Sequence, residues 1–215
     1  MGVLLLVRHG QAMFGAANYD DLSQIGMQQA RLVALRIAQG SPVSTVMCGS
    51  LTRQRKTADA IAGALGVEAA NSNDLWNEYD HVDILADRAS AFVFDKDTTR
   101  SLDAAKYALD EAIQRWMRSA TGYAESHDAF LTRVRTAVDT AAERSGVNVA
   151  VTSAGVIAAA CTQLLGIDFE TWPRLANVIV NASVTKIVSG RSGTSMVTFN
   201  DHAHLEGTRE LVTYR

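Results

Sequence analysis

The sequence predicts an α/β protein: a three-layer α/β/α sandwich around a mostly parallel mixed sheet, with a helical cap-like insertion. Three observations carry that expectation. Short apolar runs at Leu4–Val7, Val43–Cys48 and Val147–Thr152 have the length of buried strands, and each is followed by a helical pattern. Two more β-type runs, Ala182–Val188 and Ser195–Phe199, follow each other across a Gly- and Ser-rich joint, which makes the sheet mixed. Between the second and third strands, composition over residues 83–123 shifts toward Asp, Arg, Ala and aromatics, as a helical insertion would.

The first run ends at Arg8-His9-Gly10-Gln11, which puts Arg8 and His9 at the C-terminal end of a strand, where open α/β sheets bind ligands. Residues 11–21 carry Gly, Asn and Asp and read as a loop over that end. Ser23 is the expected N-cap of a helix over Gly26–Gln39, with Leu32, Leu35 and Ile37 as apolar residues and Gly40 and Pro42 as its stop. Val43–Cys48 leads through Gly49-Ser50 into a helix from Thr52 to Gly66, whose first turn holds Arg53, Arg55 and Lys56. Leu75–His81 has no clear period and is expected to be a loop. An amphipathic helix over Ser101–Arg118 carries Leu102, Leu109, Ile113, Trp116 and Met117, and its segment is either a cap over the site or a packing element. The next helix, Asp128–Arg144, turns Phe130, Leu131, Val134 and Val138 to the core and stops at Gly146. After the third strand, Ser153-Ala154-Gly155 enters an apolar helix over Val156–Leu165. A short helix near Phe169–Leu175 follows, and the last two strands are joined by Ser189–Thr194. No repeat, low-complexity tract or linker interrupts the chain, so a single domain over residues 1–215 is expected.

The 215 residues are 47% hydrophobic, enough for a substantial core, and 20 Lys+Arg against 23 Asp+Glu give a formal charge of −3. That balance argues against nucleic acid and against a polybasic membrane anchor, so any anion site must be local. Cys48 and Cys161 stand far apart, outside metal-ligand spacing, and are expected to be buried free thiols. With no leader-like stretch and no apolar run of membrane length, a cytoplasmic location is the default expectation. The sequence carries no signal for an oligomeric state.

Chemistry concentrates at a few positions. His9 offers an imidazole that is nucleophilic when neutral, Arg8 a planar cation suited to phosphate, and Gly10 a backbone that can turn closely beside a ligand. The cations opening the second helix oppose its dipole, which is understandable if an anion sits there. Glu78 is the candidate general acid for a phosphoester leaving group. The remaining histidines are read as follows: His127 as a surface residue at a helix start, and His202 with His204 as a weak metal pattern lacking further ligands.

These stretches, taken in order, resemble the histidine phosphatase superfamily, whose members include phosphoglycerate mutase-like enzymes. Leu6-Val7-Arg8-His9-Gly10-Gln11 resembles its defining motif, and Leu22-Ser23 with Gly26 and Gln29-Ala30 resembles the helix entry that follows. Ser50–Ala58 resembles the second arginine motif, Leu75–Glu78 the acid-bearing segment, and Asn200-Asp201 with His204-Leu205 the usual chain end. The resemblance implies that His9 forms a phosphohistidine, that Arg8 and Arg53 hold the phosphoryl oxygens, and that Glu78 protonates the leaving group and then activates water. Gln11 is a further candidate phosphate contact, with a structural role equally open. No cofactor and no metal are implied; the partner is a small phosphorylated substrate or inorganic phosphate.

One departure stands out. The family carries a second histidine between a late strand and its helix, and here Ser153 occupies the corresponding place within Thr152-Ser153-Ala154-Gly155. A serine donates one hydrogen bond but brings no positive charge, so Ser153 is a candidate phosphate contact in a weakened pocket. His81, three residues after Glu78, is the candidate substitute. The expected function is a metal-independent phosphomonoesterase. A catalytically impaired phosphate-ligand binder is the alternative, and a phosphoglycerate mutase ranks behind both.

Overall fold

The computed structural model describes residues 1–13, 20–68, 72–86, 98–119 and 121–214, of which 98–106 as backbone alone. It divides into two compact units, Met1–Glu78 with Val134–Arg215, and Tyr79–Arg133. The 83–123 segment lies inside the second.

The first unit is built on a five-stranded sheet in the order β2-β3-β1-β4-β5. Its strands are β1 (Gly2–Arg8), β2 (Val43–Cys48), β3 (Gly146–Thr152), β4 (Val184–Gly190) and β5 (Gly193–Asp201). β1 and β3 are apolar on both faces, and that pattern puts them inside the sheet rather than at an edge. They pair in parallel, from Gly2 opposite Gly146 to Arg8 opposite Thr152, and β2 pairs in parallel with β3. β4 runs antiparallel to both β1 and β5, so four of the five strands share one direction and β4 alone opposes them. The expected six-residue hairpin loop is shorter in the fold, because pairing continues to Gly190 opposite Gly193 and leaves Arg191-Ser192 as the turn.

Helices cover both faces. α1 (Gln24–Ala38) and α2 (Thr52–Leu65) pack against each other and, with Val7, Val46, Val149 and Val151, enclose the main core. α1 buries Ala30, Val33, Ala34 and Ile37, an i, i+3, i+4, i+7 stripe. Of the apolar residues that marked the helix, Ile37 is buried and Leu35, outside this stripe, is 57% exposed. Leu4 and Leu6 alternate with these residues and point to the other face, where α6 (Ala154–Leu165) packs on β1 and β5. The chain then turns at Phe169–Thr171 into α7 (Trp172–Val178). A satellite cluster of Val180, Leu205 and Leu211 with Ile25 and Leu32 ties the C-terminal segment to α1. Both cysteines are buried free thiols, pushed up by burial to about 11 at Cys48 and about 12 at Cys161, which leaves them unreactive at neutral pH.

The second unit holds α3 (His81–Ala86) and α4 (Thr98–Arg118), and α5 (His127–Ala142) begins in it. Its centre is aromatic. Trp116 and Phe130 are fully buried with ring centroids 5.5 Å apart, Tyr79 lies 5.5 and 6.0 Å from them, and His127 meets Trp116 edge-on at 5.1 Å. His127 is thus a core residue rather than the surface residue its place at a helix start suggested, held neutral by burial. α4 starts earlier than expected and buries Ile113 and Trp116; the side chain of Leu102 lies outside the described residues. No described helix is long and apolar enough to cross a membrane.

Candidate active site

The parallel strands end together, and three loops meet beyond them. The His9 N–H donates to the Thr152 carbonyl at 2.9 Å, continuing the β1–β3 ladder by one bond, while the His9 carbonyl accepts from Asn181 Nδ2 at 3.2 Å. Gly10 then turns the chain under α1. A side chain at Gly10 would collide with the Gly26 carbonyl, and one at Gly26 with the Gln11 carbonyl, so the two backbones touch only because both residues lack a Cβ. Thr57 on α2 accepts the Gly10 N–H at 3.1 Å, and Gln29 on α1 accepts the Gln11 N–H at 2.8 Å. Both helices thereby hold the segment that carries His9.

His9 is 5% exposed. Its Nδ1 lies 2.7 Å from the Gly10 carbonyl, which can only accept, so Nδ1 carries the proton and Nε2 keeps its lone pair. Arg53, from the first turn of α2, donates Nε–H to that lone pair at 3.1 Å. Burial first, then the charges of Arg53 and Arg8, hold the His9 pKa well below the ordinary imidazole value, against a smaller opposing pull from Gly10. The ring is neutral at physiological pH with its nucleophilic nitrogen facing a guanidinium.

Of the three cations opening α2, only Arg53 turns inward, at 8% exposure; Arg55 is exposed, and Lys56 pairs with Asp21 at 2.5 Å. Arg53 Nη1 meets the Asp20 carboxylate at 2.5 Å, and the other Asp20 oxygen accepts the Thr52 N–H at 2.7 Å. Arg8 is held differently: Nη1 donates to the Ile179 carbonyl, and Nη1 and Nη2 both reach the Tyr214 carbonyl at 3.1 Å. Its terminal nitrogens therefore bind main chain. Gln11 accepts from the Ser23 hydroxyl at 2.8 Å, and Ser23 also caps α1 through Gly26 N–H.

The acid-bearing segment is a 3-10 turn, Asp74–Trp76, rather than a plain loop. Thr152 Oγ1 and Gln54 Nε2 donate to the Trp76 carbonyl at 2.6 and 3.1 Å, and Asn77 accepts the Ser50 N–H at 2.8 Å. So fixed, the chain delivers Glu78 to the first turn of α6, where Oε2 accepts the Gly155 N–H at 2.9 Å. Ser153, 1% exposed, is the N-cap of α6, but its hydroxyl makes no capping bond and instead accepts from Gln54 Nε2 at 2.8 Å. Gln54 is fully buried, and its Oε1 is without a partner among the described residues.

The fold thus brings His9, Arg53, Arg8, Ser153 and Glu78 to the strand ends of one unit. His81 opens α3 in the other unit, and the rings of His202 and His204 bond to the Asn200 and Ala182 carbonyls. Two residues were not anticipated. Asp20 was legible as half of an acidic doublet, Asp20-Asp21, opposite a cationic helix start; Gln54, a lone amide between two arginines, gave no signal.

The sheet presents a neutral histidine against an arginine at its C-terminal edge, the place where open α/β sheets bind ligands. Residues 4–202 match the histidine phosphatase superfamily (branch 1), and the chain belongs to that family. Three solved structures show the same fold. The mycobacterial glucosyl-3-phosphoglycerate phosphatase with inorganic phosphate is 23% identical, with TM-score 0.67 over 94% of this chain and 98% of its own. An Entamoeba histolytica phosphoserine phosphatase mutant bound to phosphoserine is 18% identical, with TM-score 0.65 over 95% and 100%. Bacillus stearothermophilus YhfR is 14% identical, with TM-score 0.69 over 95% and 99%. No curated protein matches the chain.

Proposed function

We propose that the protein is a phosphomonoesterase that works through a phosphohistidine at His9 on a small phosphorylated substrate. The observation that carries this reading is the neutral His9 ring, protonated on Nδ1, with Nε2 directed at Arg53. Nε2 attacks phosphorus as the phosphorus–oxygen ester bond breaks, and Glu78 delivers a proton to the departing oxygen. Water then attacks the phosphohistidine while Glu78 takes its proton, the phosphorus–nitrogen bond breaks, and inorganic phosphate leaves with His9 neutral again. Arg53 exchanges its bond to Nε2 for one to a phosphoryl oxygen, Arg8 contributes fixed positive charge, and the Gln11 NH2 group donates from the loop. The arginines supply the charge stabilisation that a metal would otherwise provide, so the scheme is metal-independent. The solved relatives that hold phosphate and phosphoserine support this substrate class.

In this reading Ser153 stands where the family has its second histidine, and its hydroxyl, already bonded to Gln54, is a neutral donor in place of a cation. Loss of an electrostatic donor of that kind lowers turnover by about 10² to 10³. The same observation favours a second reading, a member that binds phosphate with little turnover. Hydrolysis of an aryl phosphate by the protein and by His9→Ala separates the two. Turnover that depends on His9 establishes the phosphatase. Equal background rates, together with inorganic phosphate binding and a hundredfold gain on Ser153→His, establish the binder.

A further inference from the structure

We infer that Asp20 is a positioning residue, the carboxylate that aims Arg53 at His9; the inference rests on the phosphatase reading for its kinetic consequence but not for its geometry. Arg53 is a long side chain in a nearly closed site, and two of its nitrogens are engaged at once: Nε on His9 Nε2 at 3.1 Å and Nη1 on Asp20 Oδ1 at 2.5 Å. A planar guanidinium fixed at two nitrogens cannot rotate about its terminal bonds, so the Asp20 contact sets the direction of the Nε–H bond. Asp20 itself is fixed by a second bond, Oδ2 accepting the Thr52 N–H at 2.7 Å, which ties the carboxylate to the same helix turn that carries Arg53. Next to it, Asp21 pairs with Lys56 at 2.5 Å and accepts the Leu22 N–H at 2.7 Å, so the acidic doublet grips the first turn of α2 at two of its three cations.

Two other roles are open to a carboxylate in that place, and they lead to opposite results. As a mere tether, Asp20 would affect folding and nothing else. As an internal anion occupying the seat of a phosphoryl group, it would compete with substrate. Geometry favours positioning, because the nitrogen that Asp20 takes is not the one that faces His9, and the Nε edge keeps its bond to the nucleophile while Asp20 is in place. Removing the carboxylate takes away the Nη1 contact and makes the pocket one charge more positive. Turnover then falls, whereas ground-state affinity for inorganic phosphate is held or improved.

The test compares the full-length protein with Asp20→Asn and Asp20→Glu. The expected result is at least a tenfold loss of kcat in Asp20→Asn with no rise in the inhibition constant for inorganic phosphate, a thermal midpoint within a few degrees of the parent, and partial recovery of kcat in Asp20→Glu. Unchanged kcat with tighter phosphate binding overturns the proposal in favour of a competing anion. A kcat reduced only in proportion to the unfolded fraction overturns it in favour of a tether. The 15N resonance of His9 Nε2 at neutral pH gives a readout that needs no turnover. Asp20→Asn should move it toward the value of an unbonded imidazole nitrogen, and a resonance that stays in place refutes the positioning role. Absence of His9-dependent turnover in the parent would sink the phosphatase reading alone, since the resonance still decides this one.

Discussion

The neutrality of His9 has a consequence for stability that can be measured without any substrate. In the folded protein the imidazole is 5% exposed and its pKa lies well below 6.5, whereas in the unfolded chain it titrates near 6.5. Below that value the unfolded state binds a proton that the native state does not, so stability falls as pH falls, until the native pKa is reached; above it His9 contributes no pH dependence. Because the unfolded ring titrates near 6.5, the loss from His9 alone is at most about 1.4 kcal/mol at pH 5.5 relative to pH 8, and approaches that limit the further the native pKa lies below 5.5. For a urea slope of about 2 kcal/mol/M this limit is a midpoint shift of about 0.7 M. Urea unfolding followed by tryptophan fluorescence measures it, with Trp116→Phe as the background so that the signal comes from Trp76 and Trp172, both buried in the sheet-bearing unit. His9→Gln is the control, since it keeps every other titrating group, including His127 and His204, whose pKa values burial also lowers. The parent should lose more than His9→Gln between those two pH values, by up to about 1.4 kcal/mol. Equal losses would mean that His9 is protonated or solvated in the native state, and the argument for a neutral nucleophile would fail with it.

Three further outcomes follow from the same geometry. Thr57→Val removes the acceptor of the Gly10 N–H and leaves that donor buried, at a cost of about 1–3 kcal/mol, read as a fall in thermal midpoint of about 2–4 °C per kcal/mol. Gly26→Ala drives a methyl group into the Gln11 carbonyl, a backbone atom that cannot rotate aside; a destabilisation of about 1–3 kcal/mol by urea titration is expected, and a neutral result would show that the two segments are not packed as described. Arg53→Lys keeps the charge but cannot reach His9 Nε2 and Asp20 together, so kcat toward an aryl phosphate should drop about 10²-fold; activity within threefold of the parent would refute the need for a planar fork.

How much of this was legible in the sequence depends on the range of the interaction. The strands at Leu4–Val7 and Val147–Thr152 were legible because buried parallel strands are apolar on both faces, the edge strand at Val43–Cys48 from a short run buried mainly on one face, and the meeting of His9, Arg53 and Glu78 at the strand ends because each sits in a distinctive local motif. The inward face of α1 was legible only in part: the apolar residues marked the helix, but the buried stripe of Ala30, Val33, Ala34 and Ile37 is half alanine and leaves Leu35 exposed. His127 was misread, because only the tertiary placement of Trp116 makes a helix-start histidine a core residue. Beyond the acidic doublet Asp20-Asp21, the anchoring of the site left no signal in the sequence. Ile179, Tyr214 and Asp20 act on Arg8 and Arg53 through backbone carbonyls or across long sequence separations, and no local pattern encodes such pairs.

The contrast between the two arginines bears on how the site works. Arg8 is fastened by neutral carbonyls from two distant segments, at Ile179 and Tyr214. Arg53 is fastened by a carboxylate that is one-third exposed, and part of its field is cancelled on the side away from His9. A site made only of the first kind would hold a phosphate anion tightly and release it slowly. A site made only of the second would orient the anion with little net attraction. In the proposed mechanism Arg8 supplies positive charge and Arg53 a directional donor at His9 Nε2, and a phosphoryl group in transit draws on both. Ser153, already satisfied by Gln54, adds no charge to this pair. In the proposed mechanism, the two arginines therefore carry the electrostatic demand of the reaction, and the way each is anchored matters as much as its presence.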